Sequence, residues 1–120
     1  MNHHLNLTHR IEGNDVLVLE LRVVKLSASN AYAFGQTMKP HITKQRNVVL
    51  DIAGVQFIDS MGLGALLACL RKIKVLNGQL HLCELSPTVS QLVKLMRLHN
   101  TITIYGTCAE AVQGFAVLES

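Results

Sequence analysis

The segment Ile58–Gly64 (IDSMGLG) combines residue types that place polar groups and bare backbone at the start of a helix. Asp59 and Ser60 are both favoured N-cap residues, whose side-chain oxygens accept hydrogen bonds from the unpaired amides of a first helical turn. Gly62 and Gly64 have no side chains, so an anion or another chain can approach the backbone there. The segment therefore predicts an accessible helix start that suits a negatively charged group.

The hydroxyl of Ser60 is a candidate for phosphate addition. A phosphate there would lie against free N–H groups and the positive end of the helix dipole, which is favourable. It would also add about −1.5 to −2 charge units beside Asp59, which is unfavourable for a partner docked at that surface. The residue types are also compatible with a simple helix cap and packing glycines, so both interpretations stay open at this point.

Catalytic motifs that use serine or glycine in similar settings do not fit this sequence. A nucleophile elbow reads Gly-x-Ser-x-Gly, but the residue two before Ser60 is isoleucine. A dinucleotide fingerprint needs a third glycine where the chain has Leu67, and the lysine-containing phosphate-binding loop is absent from the sequence. The six histidines show no arrangement that marks a base for Ser60. We therefore expect no enzyme activity and no cofactor.

Composition favours one small aliphatic domain and gives little support for nucleic-acid binding. The 120 residues are 49% hydrophobic but only 4% aromatic, so the core must consist of Leu, Val, Ile and Ala. The formal net charge is +3, and the basic residues are scattered without a run of five or more. They also lack the interleaved aromatic residues that stack on single-stranded bases. We expect one domain over residues 1–120 and no nucleic-acid partner.

The N-terminus and the cysteines indicate a protein of a reducing compartment. Residues 1–4 lack a basic head followed by an apolar stretch, so we expect a flexible terminus and no signal peptide. The apolar stretch Met61–Leu70 is about half as long as a membrane span, so we expect no membrane contact. Cys69, Cys83 and Cys108 form no C-x-x-C pair and fall in apolar patterns, which predicts reduced core thiols, no metal site and a cytoplasmic location.

Hydrophobic periodicity predicts alternating strands and helices in the first half of the chain. An antiparallel hairpin of Leu5–Ile11 and Val16–Leu21 comes first. A helix over Ser27–Thr43 follows, which Pro40 should kink or end. The short apolar run Val48–Ile52 is typical of a central strand that is covered on both faces.

The second half repeats the strand–helix unit, which implies right-handed crossovers and a largely parallel sheet. The pair Asn77-Gly78 should end the long helix, and Thr107 with Glu110 should form a capping box for the last helix. The predicted elements are helix Ser60–Leu76, strand Gln79–Glu84, helix Ser86–Met96, strand Thr101–Tyr105 and a final helix from Thr107. This order of elements predicts an α/β fold.

These features resemble those of the sulfate-transporter and anti-sigma-factor-antagonist domain family, usually called STAS. The resemblance rests on Val48–Ile52, Phe57–Gly64, Asn77-Gly78 and Leu85-Ser86-Pro87, and it extends from about Asp15 to Phe115. It implies a mixed, mostly parallel sheet of four to five strands with helices packed mainly on one face. Because this sequence places no transporter segment before the domain, we expect a free-standing bacterial anti-sigma-factor antagonist.

The resemblance also implies roles for the residues around Ser60. In the family, a partner that is both anti-sigma factor and serine kinase phosphorylates the matching serine, and a metal-dependent (PPM-type) serine phosphatase resets it. Unphosphorylated antagonist binds that partner and frees the sigma factor. Ser60 is then the phosphoacceptor, and Asp59 helps to dock and orient it. The expected contact surface is Met61, Gly62 and Leu63, although plain core packing is an alternative for Leu63.

One position departs from the family pattern. Many members have an acidic residue at the end of the second strand, near the serine, where this sequence has Ser27 two residues after Lys25. We expect Ser27 to belong to the partner-binding surface, with Lys25 either partly offsetting a phosphate's charge or simply solvated. Two other functions stay open: an unphosphorylated scaffold or accessory subunit of a transport complex, and an anion- or nucleotide-binding module. The oligomeric state is open as well.

Overall fold

The computed structural model describes residues 5–13, 15–42 and 47–119. The flexible terminus expected at residues 1–4 lies outside these ranges. In the described part of the chain, every helix is too short or too polar to cross a bilayer. The elements are β1 Leu7–Glu12, β2 Val16–Leu21, β3 Lys25–Leu26, α1 Ala31–Ile42, β4 Asn47–Asp51, β5 Phe57–Ile58, α2 Ser60–Val75, β6 Gln79–Cys83, α3 Pro87–Leu95, a 3₁₀ turn Leu98–Asn100, β7 Thr103–Tyr105 and α4 Cys108–Glu119.

Five strands form the main sheet in the order β1-β2-β4-β6-β7. β1 pairs antiparallel to β2, with Leu7 opposite Leu21, and the other neighbouring strands are parallel. This confirms the predicted hairpin and the predicted largely parallel sheet. The central strands β2, β4 and β6 are almost entirely buried, as strands covered on both faces must be. This burial explains the continuous Val and Leu runs of β2 and β4.

Helices cover the two faces of this sheet unequally. α1, α2 and α3 pack over the larger, aliphatic core on one face, whereas α4 packs over a smaller cluster on the other. Alternation along each strand separates the two layers. In β4, Val48 and Leu50 face the three helices, and Val49 faces α4. The α/β fold with helices mainly on one face is therefore confirmed.

Local capping interactions set the helix ends close to their predicted positions. Ser86 Oγ accepts a hydrogen bond of 3.2 Å from a backbone N–H in the first turn of α3. Thr107 and Glu110 form the predicted capping box, in which each backbone N–H donates to the side chain of the other residue at 3.1 Å. After α2, Asn77 rather than Gly78 takes the left-handed conformation, with a φ of 64°.

Two features near the predicted site differ from the sequence-based expectation. α1 begins at Ala31 rather than Ser27, because Ser27–Asn30 form a turn in which the Ser27 N–H donates to Asn30 Oδ1 at 2.9 Å. The helix then continues two residues past Pro40. In addition, β3 and β5 form a separate two-stranded parallel sheet. The sequence pattern does not reveal this sheet because two residues are too few to show a period.

The three cysteines are free thiols in different surroundings. Cys69 lies in α2 within the main core, and Cys83 is fully buried at the end of β6. Cys108, the first residue of α4, is only half-buried, and Arg10 Nη2 donates to its Sγ at 3.6 Å. Cys108 therefore contacts the smaller core only from its edge, where the start of α4 also lies beside polar side chains.

His81 is a fully buried residue of β6 that contacts α4. Its ring stacks on Phe115 with centroids 3.7 Å apart, and its Nδ1 lies 2.9 Å from the carbonyl oxygen of Ala111. Its Nε2 is buried and has no hydrogen-bond partner among the residues that the structure describes. Burial lowers the pKa of His81 below its usual value, because removal from water penalises the charged imidazolium.

Protonation of His81 should therefore destabilise the fold as pH falls. The unfolded chain binds this proton more tightly than the folded chain does. The free energy of unfolding is therefore unaffected by His81 above about pH 6.5 and decreases as the pH falls below that value. For one proton, the decrease is at most about 1.4 kcal/mol per pH unit. We expect His81→Phe to flatten the unfolding free energy below about pH 6.5, as measured by urea denaturation. The same change at the exposed His99 is the control and should preserve the slope. An unaltered slope in His81→Phe would contradict the prediction.

Candidate functional site

The predicted site lies where the loop between β3 and α1, strand β5 and the first turn of α2 meet. Ser60 is the first residue of α2 and is exposed to solvent. Asp59 is the N-cap residue, with the extended backbone (φ −94°, ψ −176°) that is typical of this position. Ser60 therefore lies at the positive end of the helix dipole and is accessible from solvent.

The carboxylate of Asp59 holds two chain segments together. Its Oδ1 accepts a hydrogen bond from the Gly62 N–H (2.9 Å) in α2, and its Oδ2 accepts one from the Ala28 N–H (3.0 Å) in the loop before α1. These bonds lower the pKa of Asp59 because they stabilise its ionised form, and the bond from Gly62 has the larger effect. Asp59, expected from the resemblance to help docking, therefore also has a structural role, with both oxygens accepting bonds from its own chain.

Gly62 packs inward and does not form part of an exposed contact surface. It is buried, and a Cβ at this position would overlap the carbonyl oxygen of Leu26, the last residue of β3. The expectation that Gly62 contacts a partner is corrected accordingly: its missing side chain lets α2 lie directly on β3. Gly64, by contrast, faces open space. Leu63 is half-buried and packs against the main core, in agreement with the alternative considered for it.

Three exposed apolar side chains lie on, or directly before, the elements that position Ser60. Met61 is 59% exposed, Phe57 is 49% exposed and Val24 is 63% exposed. The Phe57 N–H donates to the Val24 carbonyl at 3.2 Å, which holds those two residues together. We call Val24, Phe57 and Met61 the apolar patch. The resemblance predicts Met61 as a contact residue, but it does not predict Val24 or Phe57. The alternation in β5, where Ile58 is buried and Phe57 is not, is the signal that could have identified Phe57.

Ser27 lies in the loop that Asp59 connects to α2. It is half-buried, and the next residue, Ala28, donates its N–H to the Asp59 carboxylate. Asn30 closes the loop, since its side chain accepts from the Ser27 N–H (2.9 Å) and donates to the Lys25 carbonyl (2.8 Å). The Lys25 side chain is exposed. The fold thus brings the Ser27 position, 33 residues away in sequence, beside the start of α2.

Within the first turn of α2 charge is sparse, so a phosphate there would change the charge of the turn strongly. The first turn of the helix contains no acidic residue after the N-cap Asp59, and the basic residues Lys72 and Lys74 lie in its last turn. One carboxylate therefore faces the positive end of the dipole. Adding about −1.5 to −2 charge units at Ser60 would at least double the negative charge at this end of the helix.

The family model described as the STAS domain matches residues 9–111, which is most of the chain and includes every residue of the site. The chain belongs to the STAS domain family. The mixed five-stranded sheet, the accessory two-stranded sheet and the four helices of the described ranges are the fold of this family.

Known proteins similar to this chain are consistent with that membership. An anti-sigma F factor antagonist of Paenibacillus polymyxa is 29% identical over 72 residues, covering 60% of this chain and 62%, less than two thirds, of that relative. The structure of TM1081 from Thermotoga maritima is 26% identical, with a TM-score of 0.79 over 90% of this chain and 92% of that chain. An anti-sigma-factor antagonist (STAS) domain protein from Planctomyces limnophilus, 22% identical, shares the fold with a TM-score of 0.82 over 92% and 97% of the two chains.

Substitution of Gly62 should cost more stability than substitution of Gly64. Because a Cβ at position 62 overlaps the Leu26 carbonyl oxygen, Gly62→Ala must displace α2 from β3 and should cost about 1–3 kcal/mol. Gly64→Ala points into open space and should be neutral or stabilise the helix by about 0.5–1 kcal/mol. Urea denaturation of both variants measures the difference, and equal stabilities would argue against the close approach of α2 to β3.

Proposed function

We propose that this STAS protein is a phosphorylation-controlled anti-sigma-factor antagonist, which binds its partner when Ser60 is unmodified and releases it when Ser60 carries a phosphate. The observation that supports this most directly is the position of Ser60, exposed as the first residue of α2 and followed by the exposed Met61. Membership of the family and the similarity to the anti-sigma F factor antagonist of Paenibacillus polymyxa support the class of partner.

Binding of the unmodified protein uses the apolar patch. Burying Val24, Phe57 and Met61 against a partner removes apolar surface from water, which stabilises a complex by about 25 cal/mol per Å² buried before the costs of association. The patch is also preorganised. Asp59 connects the α2 start to the loop before α1, and Gly62 allows α2 to contact β3 directly, so little conformational entropy is lost on docking.

Release follows from the charge of the phosphate. At the helix start the phosphate is compatible with the fold, because the dipole and the amides of the first turn favour an anion. In the docked complex the same charge would be taken out of water beside the Asp59 carboxylate and the apolar patch. A mismatch of this kind costs several kcal/mol in interfaces, and each 1.4 kcal/mol weakens binding about ten-fold.

The proposed partners are an anti-sigma factor that is also a serine kinase and a PPM-type serine phosphatase. The kinase transfers the γ-phosphoryl group of ATP to Ser60 Oγ, which loses its proton, and ADP leaves. The phosphatase hydrolyses the phosphoserine with water and releases inorganic phosphate. In this scheme the protein is a binding component and a substrate of both partners, not an enzyme. Its place is the cytoplasm, where sigma factors bind RNA polymerase.

Ser60 should be the single residue that accepts phosphate. Incubation of the protein with ATP and the kinase, identified by pull-down from the native host, should add one phosphate by intact mass, and Ser60→Ala should abolish the addition. Ser60→Asp, which fixes a negative charge at the helix start, should weaken partner binding by at least about ten-fold in calorimetry, or about 1.4 kcal/mol.

Ala109→Asp is the matched control for Ser60→Asp. It adds one negative charge to the first turn of α4, an exposed position on the opposite face of the sheet, and should leave the affinity unchanged. Wild-type affinity in Ser60→Asp would rule out the proposed switch. Lack of phosphate addition, together with co-purification of membrane ATPase components, would favour the unphosphorylated scaffold instead.

The apolar patch should supply most of the binding energy. We expect Phe57→Ala and Met61→Ala each to weaken partner binding by about 1–2 kcal/mol, because buried apolar anchors dominate interface energies. Val75→Ala removes an apolar side chain that is 81% exposed at the opposite end of α2, so it is the control and should bind normally. If Val75→Ala weakens binding as much as the patch variants do, the partner docks elsewhere on α2.

A further inference from the structure

Asp51, Cys83 and Cys108 bring three metal-ligating atoms together on the α4 face of the main sheet. One carboxylate oxygen and the two Sγ atoms all lie within 4.8 Å of one another. Asp51 and Cys83 are opposite each other in register as the last residues of the adjacent strands β4 and β6, and Cys108 is the first residue of α4. We call these three residues the thiol–carboxylate cluster. Ligand sites of parallel sheets commonly lie at this carboxyl edge of the strands.

The position of each member of the cluster is fixed by the surrounding backbone. Asp51 is 6% exposed, and its Oδ1 accepts a hydrogen bond from the Ala53 N–H at 2.9 Å. Cys83 is fully buried within β6. Glu84 takes a left-handed conformation (φ 62°), and its carboxylate accepts a hydrogen bond from the Cys108 N–H at 3.0 Å. The cluster is therefore built into the end of the sheet rather than formed by mobile surface side chains.

The spacing and the chemistry of the three atoms suit a thiophilic divalent cation. Tetrahedral Zn²⁺ lies about 2.3 Å from sulfur and about 2.0–2.2 Å from carboxylate oxygen, which places its ligands about 3.6–3.8 Å apart. The observed separations of up to 4.8 Å need to contract by only about 1 Å, within the reach of small rotations of the side chains. Two sulfurs and one oxygen leave the fourth position of the tetrahedron for water.

The charge around the cluster also favours a dication. Two guanidinium groups and four carboxylates are connected to it through ion pairs and hydrogen bonds, so negative charge is in excess by two before either thiol ionises. Arg10 lies close to the cluster itself, since its Nη2 donates to Cys108 Sγ at 3.6 Å. The charged groups are Arg10, Arg22, Glu12, Glu20, Asp51 and Glu84.

We propose that the thiol–carboxylate cluster binds one Zn²⁺ or a similarly thiophilic divalent cation. The ion would join β4, β6 and α4 at one point and so fix the start of α4 on the sheet. The cluster lies on the face of the sheet opposite the three helices that include α2, so this site is separate from Ser60. The expectation of no metal site rests on short ligand spacing in sequence, whereas these ligands, at positions 51, 83 and 108, are brought together by parallel strand pairing.

Cobalt titration of the full-length, reduced apoprotein tests the site directly. Co²⁺ should bind one per chain, with near-ultraviolet thiolate-to-cobalt charge-transfer absorption and the visible bands of a tetrahedral ion, and Zn²⁺ should displace it. Zn²⁺ should also raise the thermal midpoint of unfolding, because it binds only the folded chain. Cys108→Ser and Asp51→Asn should each weaken binding at least about ten-fold and remove the thermal shift.

Cys69→Ser is the matched control, since Cys69 lies in α2 within the core on the other face of the sheet. This variant should keep the full absorption and the thermal shift. Cys108→Ser changes a half-buried residue at a helix start, so it should fold even if substitutions of buried Cys83 do not. The proposal is overturned if the reduced wild type shows no thiolate charge-transfer band, or if Cys108→Ser binds Co²⁺ with the affinity and band intensity of the wild type.

Discussion

The two hydrogen bonds accepted by the Asp59 carboxylate are the interaction on which the site depends. One comes from the first turn of α2 and the other from the loop before α1, so a single side chain sets the relative position of the two segments beside Ser60. The same carboxylate lies at the positive end of the helix dipole, beside the exposed Ser60. Asp59 therefore determines both the relative position of these two segments and the negative charge at the start of α2.

Much of the fold follows from local sequence signals, because caps and short apolar runs act over a few residues. Ser86 and the pair Thr107 and Glu110 form the hydrogen bonds that their types and spacing predict. The apolar run in β4 predicts a strand covered on both faces, and it is buried as expected. Ser60 could be singled out for the same reason: helix starts that can hold an anion have a recognisable local composition.

Features that depend on distant pairing could not be predicted from the sequence. β3 and β5 are two residues long and exist only because each pairs with the other across 32 positions. The burial of Gly62 is a consequence of that pairing, since Leu26 in β3 is what it packs against. The apolar patch and the thiol–carboxylate cluster likewise combine residues from separate elements, which no short motif records.

The close packing that Gly62 allows between α2 and β3 also has a kinetic consequence. Because α2 already contacts β3 directly, a partner that docks as proposed would not have to bring these two elements together. Association of such rigid surfaces typically proceeds at about 10⁵–10⁷ M⁻¹s⁻¹, and differences in affinity then appear mainly in how long a complex survives. On such a surface, regulation would act on the lifetime of the complex. Under the proposed function, phosphorylation of the Ser60 hydroxyl would shorten that lifetime without a change in the shape of the domain.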